Sequence, residues 1–486
     1  MKLTPESKKI EELASKYPII PICKEIYADV ITPISLLQKI AKQKKQYFLL
    51  ESVEQGKSWG RYSFLGFDPK AKIAFKDNEA IIEENGKISR LNKKPYELLR
   101  EYMRKYKSPK LDELPPFTGG LVGYFSYSMI GIAEPKLHLK NDEFSNYNLM
   151  LFDKVIAYDH LKQKILIIVN MQTDNILENY GKAVQEIEQL NKFIVSEMNF
   201  NHYEAPIKTK FECNFTPDQY YSAVEKTKEY IRNGDIFQAV ISRKFESEYK
   251  GSMINAYRVL RTTNPSPYMV YICDGDDEIM SASPETLVSV QNGTVTTFPI
   301  AGSRPRGETY EEDKKLEEEL FADEKELSEH NMLVDLGRND IGKISKVGSV
   351  KVTRYMNIQK YSRIMHICSE VQGKIRDDAD IFDAIESVLP AGTLSGAPKI
   401  RACEIINELE KCPRGIYGGA LGYIGFTGNM DTCIAIRMAV KKNGKVSVQA
   451  GGGIVADSIP ENEYLESENK AKAVINALIN ANEVNE

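Results

Sequence analysis

The spacing of apolar and polar positions predicts strands through most of this 486-residue chain and helices at a few well-marked places. From about residue 20 to 170, YFLLESV, RYSFLGF, KIAF and VIAYDH are short apolar runs separated by turn residues, and GGLVGYFSY at 119–127 is a strand punctuated by glycine. Residues 1–15 read as a short charged helix, and AVQEIEQLNKFIVSEM at 183–198 as a longer one. NFNHYEAPIKTKFECNFT, which follows, carries little periodicity and reads as a linker, placing a domain boundary near residue 200.

Thr216 as cap and Pro217 at the first helical position then lead into DQYYSAVEKTKEYIRNG, closed by Gly234. Strand-like runs return in IFQAVISRKF, YMVYIC, ETLVSV, TVTTFPI, MHICSEV, ALGYIGF, TCIAIRMAV and KVSVQAG, interrupted by polar helices at about 311–321 and 324–336. With no regular strand–helix alternation and no fixed repeat, the pattern predicts a mixed α+β fold rich in antiparallel sheet, in domains 1–200 and 201–486.

Near the C-terminus, PENEYLESENKAKAVINALINA places Glu463, Glu466 and Lys470 within roughly 80° of one another on one helical face. Pro460 suits a helix start, and acids suit a helix N-terminus. Alone, this is a capped surface helix with a Glu466–Lys470 pair worth about 0.3–0.5 kcal/mol. In DEKELSEHNMLVDLGRND, Asp323 reads as an N-cap with Glu326 as its capping-box partner, and Glu329 lies one turn on, ahead of Met332, Leu333 and Leu336. If these acids faced Glu463 and Glu466, the cluster would repel itself and be stable only around a cation.

Composition narrows the chemistry. A 42% hydrophobic, 27% charged chain is an ordinary globular one, and a net charge of −5 gives no reason to expect nucleic acid or an acidic membrane. The charged N-terminus lacks the apolar core of a signal peptide, and no window approaches a membrane span. The seven cysteines form no CxxC pair, which fits reduced thiols in a cytoplasmic protein, and the five histidines have no metal spacing. Any metal must then be held by carboxylates, which favours Mg2+.

VQAGGGIVA has a G-x-G-x-x-A spacing, but DSIP breaks the chain where a dinucleotide site needs a helix; AGTLSGAPK at 391–399 lacks P-loop spacing. Both glycine stretches can still bring N–H groups to a small anion. Arg437 in TCIAIRMAV is an arginine among strand residues, and a ligand carboxylate is one good partner for it. His366, Glu285 and Gln238 are further polar groups in apolar strands or at their starts, readable equally as satisfied core residues.

Taken together, LLES, GGLVGYFSY, GDIFQAVISR, NPSPYM, SPETLV, PIAGSRPRG, KELSEHNMLVDLGRND, LPAGTLSGAPKIRA, RGIYGGALGYIGF, IAIRMAV and AGGGIVADSIPENEYLESENKA resemble the large subunits of anthranilate synthase, among the chorismate-utilising enzymes. The resemblance runs from about residue 20 to 475. It implies Glu329 and Glu466 as Mg2+ ligands, supported by Glu326 and Glu463, with Lys470 neutralising the acidic wall. The metal would hold the ring carboxylate of chorismate with Gly302 and Ser303, while Arg437, Tyr417 and backbone around Gly451 and Gly453 would take the enolpyruvyl carboxylate. Thr393 belongs to the same substrate set, Glu285 matches the general acid, and His366 matches a histidine of the pyruvate-eliminating stage.

Two positions separate the family's chemistries. Relatives that add water use a lysine where this chain has Gln238, and aminodeoxychorismate synthases typically carry a nucleophilic lysine where it has Ala301. Both departures imply ammonia as nucleophile and anthranilate as product, over an aminodeoxychorismate synthase or a non-catalytic tryptophan sensor. Ser303 for threonine and AGGGIV for AGAGIV are conservative departures. None of the cysteines has the context of a glutaminase nucleophile, so a separate glutamine amidotransferase subunit (component II) is implied, in a heterotetramer of two large and two small subunits. Ser52, Arg61, Pro267, Tyr268 and Met269 resemble the site at which L-tryptophan exerts feedback inhibition.

Overall fold

A computed structural model describes residues 3–52, 60–197, 210–360 and 364–485. Most of the linker and the boundary expected near residue 200 lie outside the described residues. Two large sheets stack face to face, and every strand pairing in them is antiparallel.

Each sheet draws strands from both halves of the chain. In the larger one, Gln46–Glu51 pairs with Tyr268–Asp274, Glu51 opposite Met269, and the sheet runs on through Met438–Lys442 and Lys445–Ile454 to Gln238–Glu248. In the other, Gly120–Phe125 pairs with Ala420–Gly425.

Strand alternation builds the layers. In Tyr268–Asp274, Val270 and Ile272 point into the layer between the sheets, with Phe48, Phe64, Phe117, Val122 and Phe152. Met269 and Tyr271 point the other way, under the helices Pro33–Gln43, Ile176–Val195, Ile254–Thr263 and Pro460–Ile479. Glu97–Lys105, Glu324–Gly342 and Ile381–Val388 cover the outer face of the second sheet. Central strands buried on both faces read as continuous apolar runs, which is why they stood out in the sequence.

Thr216 and Gln219 form the expected cap, a reciprocal capping box. Asp323 accepts from the backbone of Lys325 and Glu326, but the Glu326 carboxylate turns to Arg304, 3.7 Å away, instead of closing a box. Helix Ile176–Val195 begins seven residues before the expected 183, and Glu324–Gly342 continues six past 336. Both extensions run through a glycine, Gly181 or Gly337, which a helix tolerates at a cost of about 1 kcal/mol relative to alanine.

Candidate active site

Four carboxylates converge between the helices Glu324–Gly342 and Pro460–Ile479, and the glycine strand explains how the second helix comes so close. The helix lies on the end of Lys445–Ile454 with no side chain between: a Cβ at Gly452 would stand 2.6 Å from Glu463 Oε2. Lys470 Nζ donates to the Gly451 carbonyl at 3.1 Å and pairs with Glu466 at 2.6 Å. Ser458 Oγ donates to Glu463 at 2.7 Å.

Burial, and then the neighbouring acids, raise the carboxyls of Glu326, Glu329 and Glu463 above the usual range, and Glu466 contributes to all three shifts. Among the described residues, no three acids, histidines or cysteines already stand close enough to enclose an ion. The donors are nonetheless all carboxylate oxygens whose mutual repulsion a hard divalent cation would relieve, so the set fits Mg2+.

Glu285 sits in the turn between Asp277–Ser283 and Thr286–Gln291. Thr393 Oγ1 donates to its Oε1 at 3.0 Å, and Lys470 lies near enough to act on it. Burial outweighs both and pushes the carboxyl up to about 7. The 3-10 turn Gly392–Leu394 presents Thr393 to this acid.

Across the cleft, the strand Ile300–Pro305 bulges against Ile364–Lys374 between Ala301 and Ser303. Gly302 occupies the bulge at φ +69°, its Cα side facing Glu326, and its carbonyl lies 3.0 Å from His366 Nδ1. Burial lowers the His366 imidazole below its usual range against the opposing hydrogen bond to the Gly302 carbonyl, and the charge of Arg437 adds to the lowering, which favours the neutral ring. Ser303 pairs directly with His366.

Arg437 has a left-handed backbone, φ +48°, that turns its side chain out of the strand run. Its guanidinium forms no hydrogen bond or ion pair with the described residues. Together with Asn462, Leu465, Glu466, Asn469 and Lys470 it lines a cavity of about 380 Å³. Burial pushes the neighbouring Tyr417 phenol up to about 12, and the Gly451 N–H faces its oxygen. Gln238 is buried against Gly453, whose Cβ would stand 2.3 Å from Nε2; its Oε1 has no partner among the described residues.

The structure thus gathers Glu285, His366, Gln238, Gly302, Ser303, Thr393, Tyr417, Arg437, Gly451, Gly453, Lys470 and the four acids around one cleft. The support beneath it is not legible in the apolar pattern. Arg414, fully buried, pairs with Glu410 at 2.6 Å and donates to the carbonyls of Leu394 and Val240, tying the Thr393 turn to the Gln238 strand. Lys399, read only as a P-loop decoy, pairs with Asp340 at 2.7 Å and anchors the helix that carries Glu329.

A second cavity, about 1430 Å³, opens between the sheets and is lined in part by Ser52, Pro267, Tyr268, Met269, Tyr423 and Asp431. Strand pairing brings the LLES and NPSPYM stretches side by side here. Ser52 Oγ is buried with no partner among the described residues. Arg61, expected with them, is not among the lining residues: it pairs with buried Asp159 at 2.8 Å and stacks on Tyr62, because Asp159 needs a counter-charge. Sequence reasoning missed Asp431, whose carboxyl burial pushes up to about 7 and to which the Tyr268 hydroxyl donates at 2.8 Å.

The family described as chorismate binding enzyme matches residues 45–476. Anthranilate synthase component 1 of Acetivibrio thermocellus is 47% identical, over 99% of each chain. The crystal structure of anthranilate synthase component I from Streptococcus pneumoniae TIGR4 superposes with a TM-score of 0.76 at 39% identity, covering 92% of this chain and 98% of that one. The menaquinone-specific isochorismate synthase of Escherichia coli shares the fold, with a TM-score of 0.70 at 17% identity over 97% of this chain and 98% of its own. No helix among the described residues is long and apolar enough to cross a membrane. On this full-length similarity, the chain belongs to the chorismate binding enzyme family, alongside the anthranilate synthase component 1 proteins.

Proposed function

We propose that this chain is the lyase component of an anthranilate synthase, converting chorismate and ammonia to anthranilate and pyruvate, the first committed step of tryptophan biosynthesis. The observation that carries this reading is Glu285, a carboxyl that keeps its proton to about pH 7 in a cleft with Gln238 and Ala301 at the discriminating positions. Glutamine cannot activate water as a base, and alanine cannot form a covalent intermediate, so free ammonia is the nucleophile left.

Arg437, without a partner among the described residues, takes the enolpyruvyl carboxylate, helped by the Tyr417 hydroxyl and the backbone at Gly451 and Gly453. Gly302 and Ser303 meet the ring carboxylate on the opposite wall. Ammonia adds at ring C2, and Glu285 protonates the departing C4 hydroxyl, a poor leaving group otherwise. Thr393 holds that carboxyl in place. His366, neutral through burial, can accept the ring proton as pyruvate leaves and the ring becomes aromatic. Mg2+, held by Glu329 and Glu466 with Glu326 and Glu463 behind them, would supply Lewis-acid stabilisation of several kcal/mol at the ring carboxylate. Ammonia would come from a glutaminase subunit in a heterotetramer, and L-tryptophan would occupy the cavity at Ser52 and Pro267–Met269.

The test is anthranilate fluorescence from the purified chain, chorismate and an ammonium salt, with and without Mg2+. A Mg2+-dependent blue signal supports the reading. Consumption of chorismate without fluorescence overturns it in favour of another product.

A further inference from the structure

Arg243 is fully buried, yet among the described residues it meets no carboxylate. It lies on Gln238–Glu248, opposite Ala450 and next to the glycines of the neighbouring strand. Its Nε donates to Ser467 Oγ at 3.0 Å and its Nη2 to the Tyr464 carbonyl at 2.7 Å. The Tyr464 ring lies 3.7 Å from its guanidinium carbon, with Tyr220 and Phe245 each at 5.2 Å. Nη1 has no partner among the described residues.

Burying a guanidinium with no counter-ion is costly, and an apolar side chain of similar volume would fill the space without that cost. What the guanidinium provides is geometry: a rigid planar fork with two donors at a fixed angle. Both donors end on one turn of helix Pro460–Ile479, at residues 464 and 467, and that turn carries Glu463 and Glu466. Beneath its acidic turn the helix meets no side chain at Gly452, and Lys470 and the buried face of Ala471, Val474, Ala477 and Leu478 hold it only from a turn later; at the acidic turn itself the fork acts together with the Tyr464 ring, which packs on Tyr220 and Tyr221.

We propose that Arg243 is a positioning residue that sets the placement of this acidic turn, and so the geometry in which Glu463 and Glu466 meet a divalent cation. The proposal rests on reading those carboxylates as cation ligands.

Three variants test it in the full-length chain: Arg243→Met, Arg243→Lys and Ser467→Ala. Mg2+ binding is measured by titration calorimetry, folding by urea denaturation, and ammonia-dependent turnover as a function of Mg2+. Arg243→Met is expected to be at least as stable as the parent, to bind Mg2+ about tenfold more weakly, and to keep turnover within about threefold at saturating Mg2+. Arg243→Lys, with a point charge instead of a fork, falls in between, and Ser467→Ala weakens binding in the same direction by less. A stable Arg243→Met with unchanged Mg2+ affinity overturns the proposal, as does weakening that only tracks lost stability. If that variant does not fold, unchanged affinity in Ser467→Ala overturns it. A parent chain that binds no Mg2+ removes the carboxylate reading itself, and this proposal with it.

Discussion

Replacing Glu285 with glutamine should abolish turnover and, above neutral pH, make the protein more stable. The carboxyl titrates near 4.5 when unfolded and near 7 in the folded cleft. Its folded-state pKa is raised, so between these values the native state holds a proton that the unfolded state releases, and stability falls as pH rises. Below pH 4.5 the group costs nothing, and above about 7 the full cost is present. A shift of about 2.5 units corresponds to about 3 kcal/mol. Part of the residue faces the water of the cleft, and screening reduces this to about 2 kcal/mol. Glutamine keeps an acceptor for Thr393 and has no charge to bury. Urea denaturation at pH 5 and pH 8.5 should therefore show the Glu285→Gln advantage growing by about 1.5 kcal/mol over that interval, the rest being already present at pH 5. An advantage that does not change with pH would refute the raised pKa, and with it the case for Glu285 as an acid poised near neutrality.

Three further outcomes follow from the same geometry. Arg437→Lys replaces a bidentate donor with a point charge, so steady-state kinetics should show KM for chorismate rising about 10–100-fold, with kcat changing less. Ser52→Phe places a ring in the second cavity and should relieve inhibition by L-tryptophan while leaving uninhibited turnover near its original rate; unchanged inhibition would move the ligand elsewhere. Gly451→Ala would set a Cβ 2.5 Å from the Ile241 carbonyl, and thermal denaturation should register a loss of about 1–3 kcal/mol.

The fold was legible wherever burial was uneven. Strands buried on both faces, such as Tyr268–Asp274, read as apolar runs, whereas Lys351–Lys360 is largely exposed along its length and gave no apolar signal. The helix expected to span about 324–336 runs on to Gly342; Gly337 lies within it, where a Cβ would stand 3.1 Å from Thr297 Oγ1 and 3.4 Å from Pro299. TVTTFPI read as one strand; the ladder stops at Thr297 and resumes at Ile300, after a proline that cannot donate to it. In the cleft, Arg437 and Glu285 were visible as polar groups out of place. Arg243 and the Arg414–Glu410 pair were not, because a charged residue in a sequence does not reveal whether its partner is water or a distant carbonyl.

The pairing of Gln46–Glu51 with Tyr268–Asp274 also has a temporal side. As the chain leaves the ribosome, the apolar strand YFLLE can pair with Tyr62–Phe67 at once, but its other edge has no partner until about 200 residues later. At ~5–20 residues per second, that edge stays open for about 10–40 s. An open apolar edge is a template for other nascent chains. The first half, expressed alone, would keep that edge permanently and should accumulate as aggregate, and protection of the nascent chain should matter most during this interval.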